Sequence, residues 1–347
     1  MLSRAEIDDL IHLRLNESQA RALLQRLTVP ALLALNEPGA QIQTIHEALL
    51  ASALPLPALQ DPALQEGPLM DCCGTGGSGR AHFNTSTTAA FVLAAGGVPV
   101  VKFGNRAVTS VSGSFDLLEA LGVKSPPLAR LPETLARCGI VFLYAPDCYP
   151  ALGPFHQLRR ALGVPTVFNL LGPLLNPVKP AYRLMGVSDP TALQLLAPLL
   201  AEDPALRRAW LVNGFPDISE DPIVANLSAS TAPVGVDELV INGLSTVFDI
   251  TPGAVDVRMI NRFHAEQGPP ADGYSPQANA RLCAAILSGE DTLSDAYHMV
   301  CLNAGAGLAV FGAASDLEAG VAMAAGLLAS GKAQAVLNRV RQDAARA

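Results

Sequence analysis

Residues 71–79 read Asp71-Cys-Cys-Gly-Thr-Gly-Gly-Ser-Gly79, and Phe83-Asn-Thr-Ser-Thr87 follows almost at once. Four glycines, Gly74, Gly76, Gly77 and Gly79, fall within six residues. They leave no Cβ atoms in the way of a close approach and allow the positive φ angles that turn successive N–H groups inward. Before this run, Pro68-Leu-Met-Asp71 is short and apolar, as a buried strand is. After it, Ser86 to Gly96 is Ala-rich and suits a helix. Strand, glycine loop and helix N-terminus in that order form a phosphate or pyrophosphate site in many folds. The run is not a Walker A loop, because no Gly-Lys-Ser/Thr follows at the required spacing. The G-x-G-x-x-G reading through Gly74, Gly76 and Gly79 lacks the acidic residue about twenty positions on that a dinucleotide ribose needs.

From about residue 67 onward, short apolar runs alternate with Ala/Leu-rich stretches. Val98–Lys102, Ile140–Tyr144, Leu184–Val187, Arg208–Val212 and Val236–Ile241 are candidate strands. This alternation predicts an α/β architecture with a mainly parallel sheet. Residues 1–66 read instead as a small helical domain. Ser18–Leu27 and Ile42–Ala53 carry apolar residues at helical spacing. Leu54 to Pro62 reads as a linker, and residues 67–347 form the larger α/β domain. The block from Pro150 to about Pro180 breaks the alternation and is expected to pack back on the N-terminal helices. Residues 276–347 look helical. No internal repeat is evident.

Bulk chemistry narrows the function. The chain has 347 residues, half of them hydrophobic and 16% charged, which describes a globular protein with a sizeable core. A net charge of −8 argues against a nucleic-acid partner, so an anionic substrate must be caught by local features. The six cysteines form no C-x-x-C pair and read as buried thiols in a reducing cytoplasm. No apolar stretch reaches eighteen residues, so no membrane span is expected. The N-terminus carries charges where a signal peptide needs an apolar run.

Further motifs specify the family. Lys102-Phe-Gly-Asn-Arg106 follows a Val-rich strand, and Ser110-Val-Ser-Gly-Ser114 precedes Phe115 to Gly122. Phe168-Asn-Leu-Leu-Gly-Pro-Leu-Leu-Asn-Pro177 comes later, then Asn279, Leu287-Ser-Gly-Glu290 and Leu302-Asn-Ala-Gly-Ala306. In this order, and over nearly the whole chain, they resemble anthranilate phosphoribosyltransferase. The resemblance implies transfer of the phosphoribosyl group from phosphoribosyl pyrophosphate to anthranilate in tryptophan synthesis, with Mg²⁺. It also implies a cleft between the two domains and a homodimer joined through the helical one. Alternatives are a paralogue with another acceptor, including phosphate, and a non-catalytic binding protein.

The resemblance also implies residue roles. Gly74, Thr75, Gly76 and Gly77 would wrap the ribose and pyrophosphate, with Ser78 completing the loop. Asn84, Ser86 and Thr87 would bind pyrophosphate, Ser86 also offering its hydroxyl to Mg²⁺. Lys102 would place a positive charge on the phosphates, and Ser114 would contact the diphosphate. Asn105, Arg159 and Pro173 would face the acceptor, the Arg159 fork suiting a carboxylate. Four positions depart from the family pattern. Ser78 replaces an aspartate, Phe103 a histidine, and Tyr149 an acceptor-site histidine. The fourth is the metal-binding Asp-Glu pair, which should follow Val212-Asn-Gly by a few residues. There it could fall on Ile218-Ser219, Ser219-Glu220 or Glu220-Asp221. Glu220 and Asp221 are taken as the metal pair. Asp237-Glu238 is expected to lie on the next strand in a structural role.

Overall fold

The computed structural model describes residues 1–55, 61–65, 67–78, 83–107, 111–153, 158, 161–164, 166–216, 235–262 and 274–345. Its centre is a seven-stranded sheet. In chain order the strands are β1 Met70–Gly74, β2 Val100–Gly104, β3 Ile140–Tyr144, β4 Tyr182–Gly186, β5 Arg208–Pro216, β6 Gly243–Thr251 and β7 Ala254–Arg262. In space they run β3-β2-β1-β4-β5-β6-β7. The first five are parallel, whereas β6 pairs antiparallel with β5 and β7 antiparallel with β6. The α/β, mainly parallel expectation therefore holds. The antiparallel hairpin at one edge is an addition to it.

One expected strand is absent. Val236–Ile241 makes a single bridge, Val236 to Gly214, and then turns. Its backbone goes to side chains instead: Leu239 N donates to Asn303 Oδ1 at 3.1 Å and Val240 N to Ser245 Oγ at 3.0 Å. The next strand begins at Gly243, whose φ of 143° only glycine adopts without strain.

Alternation along the strands feeds two cores, one on each face. Met70, Cys72, Val100, Ile140 and Phe142 point to a layer made by the helices Thr85–Ala95, Pro276–Ser288, Asp295–Phe311, Leu317–Ala329 and Lys332–Ala344. Cys73, Val101, Phe103, Val141 and Leu143 point the other way. There they join the helices Arg4–Ile11, Glu17–Arg26, Pro38–Ala51 and Pro190–Ala201, together with residues 167–175. Ser3 and Asn16 open the first two helices with capping boxes, each accepting from the N3 amide while Glu6 or Gln19 reaches back. Segment 148–175 touches this N-terminal layer through Leu54 N to Cys148 O at 2.9 Å, Val167 N to Leu27 O at 2.8 Å and His46 Nε2 to Leu174 O at 3.3 Å. All six cysteines are buried free thiols. No single described helix is long and apolar enough to cross a membrane, although Leu317–Ala329 and Lys332–Ala344 pass that test as a pair bent by 63°.

Candidate active site

Strand order reverses at β1. β2 and β3 are added on one side of it, β4 and β5 on the other. In open parallel sheets the crevice beyond the carboxyl ends of the strands at such a point is where ligands bind. Here that crevice is lined by the glycine loop after β1 and the Val187–Asp189 turn after β4. Several bonds tie the two together. Thr75 N donates to Gly186 O at 3.0 Å, Ser188 N to Thr75 Oγ1 at 3.1 Å, and Ser188 Oγ to Gly76 O at 2.6 Å. Gly76 and Gly77 have φ of 63° and 82°, so their amides turn out of the strand direction as the residue pattern requires.

Behind the loop, Asn84 is the N-cap of Thr85–Ala95 but does not cap it with its side chain. Its Nδ2 instead donates to Ser112 O at 3.1 Å, and its Oδ1 accepts from Ser112 Oγ at 3.0 Å. The Asn84 side chain thus leaves the first-turn amides of an eleven-residue helix without an N-cap acceptor. Lys102 enters from β2. It is 3% exposed, and its Nζ donates to Cys72 O and, at 3.3 Å, to Ser86 Oγ. A strand-end lysine in solvent is thus excluded: the ammonium is held inside the crevice wall, on the same helix N-terminus.

The acidic component comes from a segment assigned a structural role in the sequence. Asp237 and Glu238 lie in the turn after the Val236 bridge, not on a strand, and the turn leans on the glycine loop. Gly76 N donates to Asp237 Oδ2 at 2.8 Å. A Cβ on Gly74 would collide with the Asp237 carboxylate, and one on Gly186 with the Asp237 backbone. Glu238 is nearly buried. Burial, and next to it the Asp237 charge, push its carboxyl well above the usual range, against the pull of Thr85 and Lys102. Asn303 fixes the turn from behind, its Nδ2 donating to Leu239 O at 3.0 Å while its Oδ1 accepts from Leu239 N.

The family description "Glycosyl transferase family, a/b domain" matches residues 66–334. The anthranilate phosphoribosyltransferase of Symbiobacterium thermophilum is 38% identical over 278 residues, covering 79% of this chain and 76% of the relative. The enzyme of that name from a Synechococcus species is 35% identical over 333 residues, 93% and 90% of the two chains. Among solved structures, the anthranilate phosphoribosyltransferase of Thermus thermophilus superposes with a TM-score of 0.73 at 33% identity over 99% of each chain. The chain belongs to the anthranilate phosphoribosyltransferase family. A Saccharomyces cerevisiae member, solved in complex with PRPP and Mg, superposes with a TM-score of 0.75 at 25% identity, covering 100% of this chain and 94% of its own.

On the phosphoribosyltransferase plan, the expected phosphate-side residues gather in one place. Gly74–Ser78, Asn84, Ser86 and Lys102 border the same crevice, and Thr87 is buried in the helix next to Ser86. Ser114 opens the helix Ser114–Ala120, and its Oγ donates to Asn105 O at 3.1 Å. Asn105 itself is exposed, and Pro173 is buried with its carbonyl facing Cys73 Sγ. Arg159, Glu220, Asp221 and Gly79 lie outside the described residues. Two of the four departures prove to be one feature. Phe103 and Tyr149 meet edge to face, with ring centroids 6.1 Å apart and planes at 81°. The Tyr149 hydroxyl donates to Leu175 O at 2.7 Å. Beneath them Asp71, fully buried, accepts from Phe103 N at 3.2 Å and Asn176 Nδ2 at 2.9 Å. Burial pushes the Asp71 carboxyl up despite Lys102 and Arg183 nearby. Asp71, Ser188, Asp237 and Glu238 were the residues the motif reading did not place in the site. For Asp71 the signal was there, as an acid inside an apolar strand.

Proposed function

We propose that this protein transfers the phosphoribosyl group of phosphoribosyl pyrophosphate to anthranilate, giving N-(5-phosphoribosyl)anthranilate and pyrophosphate in tryptophan synthesis. The observation that carries the reading is the meeting, at the carboxyl end of β1, of a positive-φ glycine loop, an uncapped helix N-terminus, the buried Lys102 and the Asp237-Glu238 turn. The first three offer positive potential to a diphosphate, and the fourth offers anionic oxygens beside it.

Breaking the bond from ribose C1 to pyrophosphate leaves an oxocarbenium-like centre and a leaving group that gains charge. Loop amides and the Thr85–Ala95 N-terminus stabilise that charge because they are already oriented. Lys102 adds a full positive charge that cannot swing away, since its Nζ is held between Cys72 O and Ser86 Oγ. Asn105, Pro173 and Arg159 are assigned to the acceptor, whose weakly nucleophilic amine needs alignment more than activation.

The residues present fit Mg²⁺. Ser86, Asp237 and Glu238 are hard oxygen donors, and Glu238 is buried beside the Asp237 carboxylate, a juxtaposition a divalent cation relieves. When bound, Mg²⁺ would neutralise pyrophosphate oxygens. We assign the metal pair to Asp237 and Glu238 instead of Glu220 and Asp221. The helical segment 1–66, with part of 150–180, is proposed as the smaller domain and as the surface that pairs two copies. The buried free thiols support a cytoplasmic setting.

The test is anthranilate fluorescence consumed in the presence of phosphoribosyl pyrophosphate and Mg²⁺, with and without EDTA. Turnover that EDTA abolishes supports the reaction. No turnover, with phosphoribosyl pyrophosphate still binding by calorimetry, moves the reading to another acceptor. For the metal, Asp237→Asn is expected to raise the Mg²⁺ concentration for half-maximal rate, while the double variant Glu220→Gln/Asp221→Asn leaves it in place. The reverse pattern returns the assignment to Glu220 and Asp221.

A further inference from the structure

The sheet ends at β7 with a face nothing in the described chain covers. Every residue from Ala254 to Met259 is exposed, including Val255 at 40%, Val257 at 53% and Met259 at 48%. A long edge strand of this kind, with no proline or lysine between its ends, is a template for a further strand. Its hydrogen-bonding register follows from the turn. Thr251 and Ala254 pair across the two-residue turn Pro252-Gly253, so they form a hydrogen-bonded pair and the pairing alternates from there. The amides of Val255, Val257 and Met259 accordingly point away from β6, outward.

An antiparallel partner centred on Val257 would set Val257 opposite itself and Val255 opposite Met259 on one face. On the other face it sets Asp256 opposite Arg258, in the closer, non-hydrogen-bonded kind of pair. The strand is therefore complementary to its own reverse in apolar side chains and in charge. Arg258 is half free for this. One Nη reaches Asp249 Oδ2 at 2.5 Å and the guanidinium lies over the Trp210 ring at 4.4 Å, but 41% of its side chain remains exposed. Asp256 sits directly across the ladder from Asp249, so a second arginine beside it relieves a like-charge neighbour.

We propose that the free edge of β7 is a self-docking surface. A second copy of this chain adds its β7 antiparallel, with a two-fold axis at Val257 and paired Asp256–Arg258 contacts to the partner, so that the sheet continues from one copy into the next. This contact is distinct from pairing through the N-terminal helices and does not depend on the catalytic reading.

Sedimentation velocity over a range of protein concentration tests it. Wild type is expected to reach one association step more than Val257→Pro, which removes an outward amide without touching the β6 ladder. Asp256→Arg is expected to weaken that step at least about tenfold, by replacing an opposite-charge pair with a like-charge one. Asp256→Arg/Arg258→Asp is expected to restore it. Circular dichroism and turnover check that each variant is folded. Identical sedimentation of wild type and Val257→Pro overturns the proposal, as does a double reversal that fails to restore what the single reversal loses.

Discussion

Single side chains in this crevice divide by whether they face the ligand or hold the wall. Lys102 does both, its ammonium held in the wall between Cys72 O and Ser86 Oγ yet placing its charge at the crevice. Lys102→Met is expected to lower kcat by about 10²–10³-fold, the usual scale for removing one preorganised electrostatic group, with the fold retained by circular dichroism. Tyr149 does the second. Its hydroxyl is committed to Leu175 O, so Tyr149→Phe is expected to cost about 1–2 kcal/mol in urea unfolding and to leave the KM for anthranilate almost unchanged. A tenfold rise in that KM would show the hydroxyl reaching the acceptor. Residue identity in the glycine loop was legible in the sequence because backbone geometry there admits few alternatives. The pairing of Phe103 with Tyr149 was not, since two departures 46 positions apart look independent until a β2 side chain and the turn after β3 are seen to meet. Asp71 escaped for a related reason: its partners, Phe103 N and Asn176, arrive from elsewhere in the chain.

Elements carry the site through close approaches that tolerate little. The Asp237 turn reaches the glycine loop because neither Gly74 nor Gly186 has a Cβ. Gly186→Ala is expected to displace the turn and to lower kcat/KM at least about tenfold, while stability falls by about 1–3 kcal/mol as for other overpacked positions. An unchanged kcat/KM would detach the turn from the chemistry. In the β6–β7 hairpin, burial opposes ionisation of Asp249, but Arg208 and Arg258 outweigh it and hold the carboxyl below its usual range. A depressed folded value means stability that is present above the unfolded pKa and lost as pH falls through the folded one. Asp249→Asn is therefore expected to lose about 1–2 kcal/mol at pH 7, discounted for partly exposed arginines. The gap to wild type should close below about pH 4, read by denaturation at several pH values. Apolar run length identified β1 to β5 to within a few residues. It failed at Val236–Ile241, where the composition suits a strand but Asn303 and Ser245 take the amides. It also passed over β7, whose alternation signals a strand although neither face is covered.

At the scale of the whole molecule, the strand alternation that separates two cores also sorts the cysteines. Cys73 and Cys148 lie in the layer under the N-terminal helices, and Cys72, Cys138, Cys283 and Cys301 in the other. Cys72 and Cys73 are sequence neighbours whose side chains leave β1 in opposite directions. Burial pushes the Cys148 and Cys283 thiols up to about 12 each, so neither offers appreciable thiolate to a reagent near neutral pH while its layer stays closed. A thiol-reactive dye is thus excluded until a layer opens. Variants keeping only Cys148 or only Cys283 would each carry a clock for the opening of one side of the sheet. If the two clocks run at different rates, the molecule comes apart by halves. If they agree, the strands between them hold it together as one cooperative body.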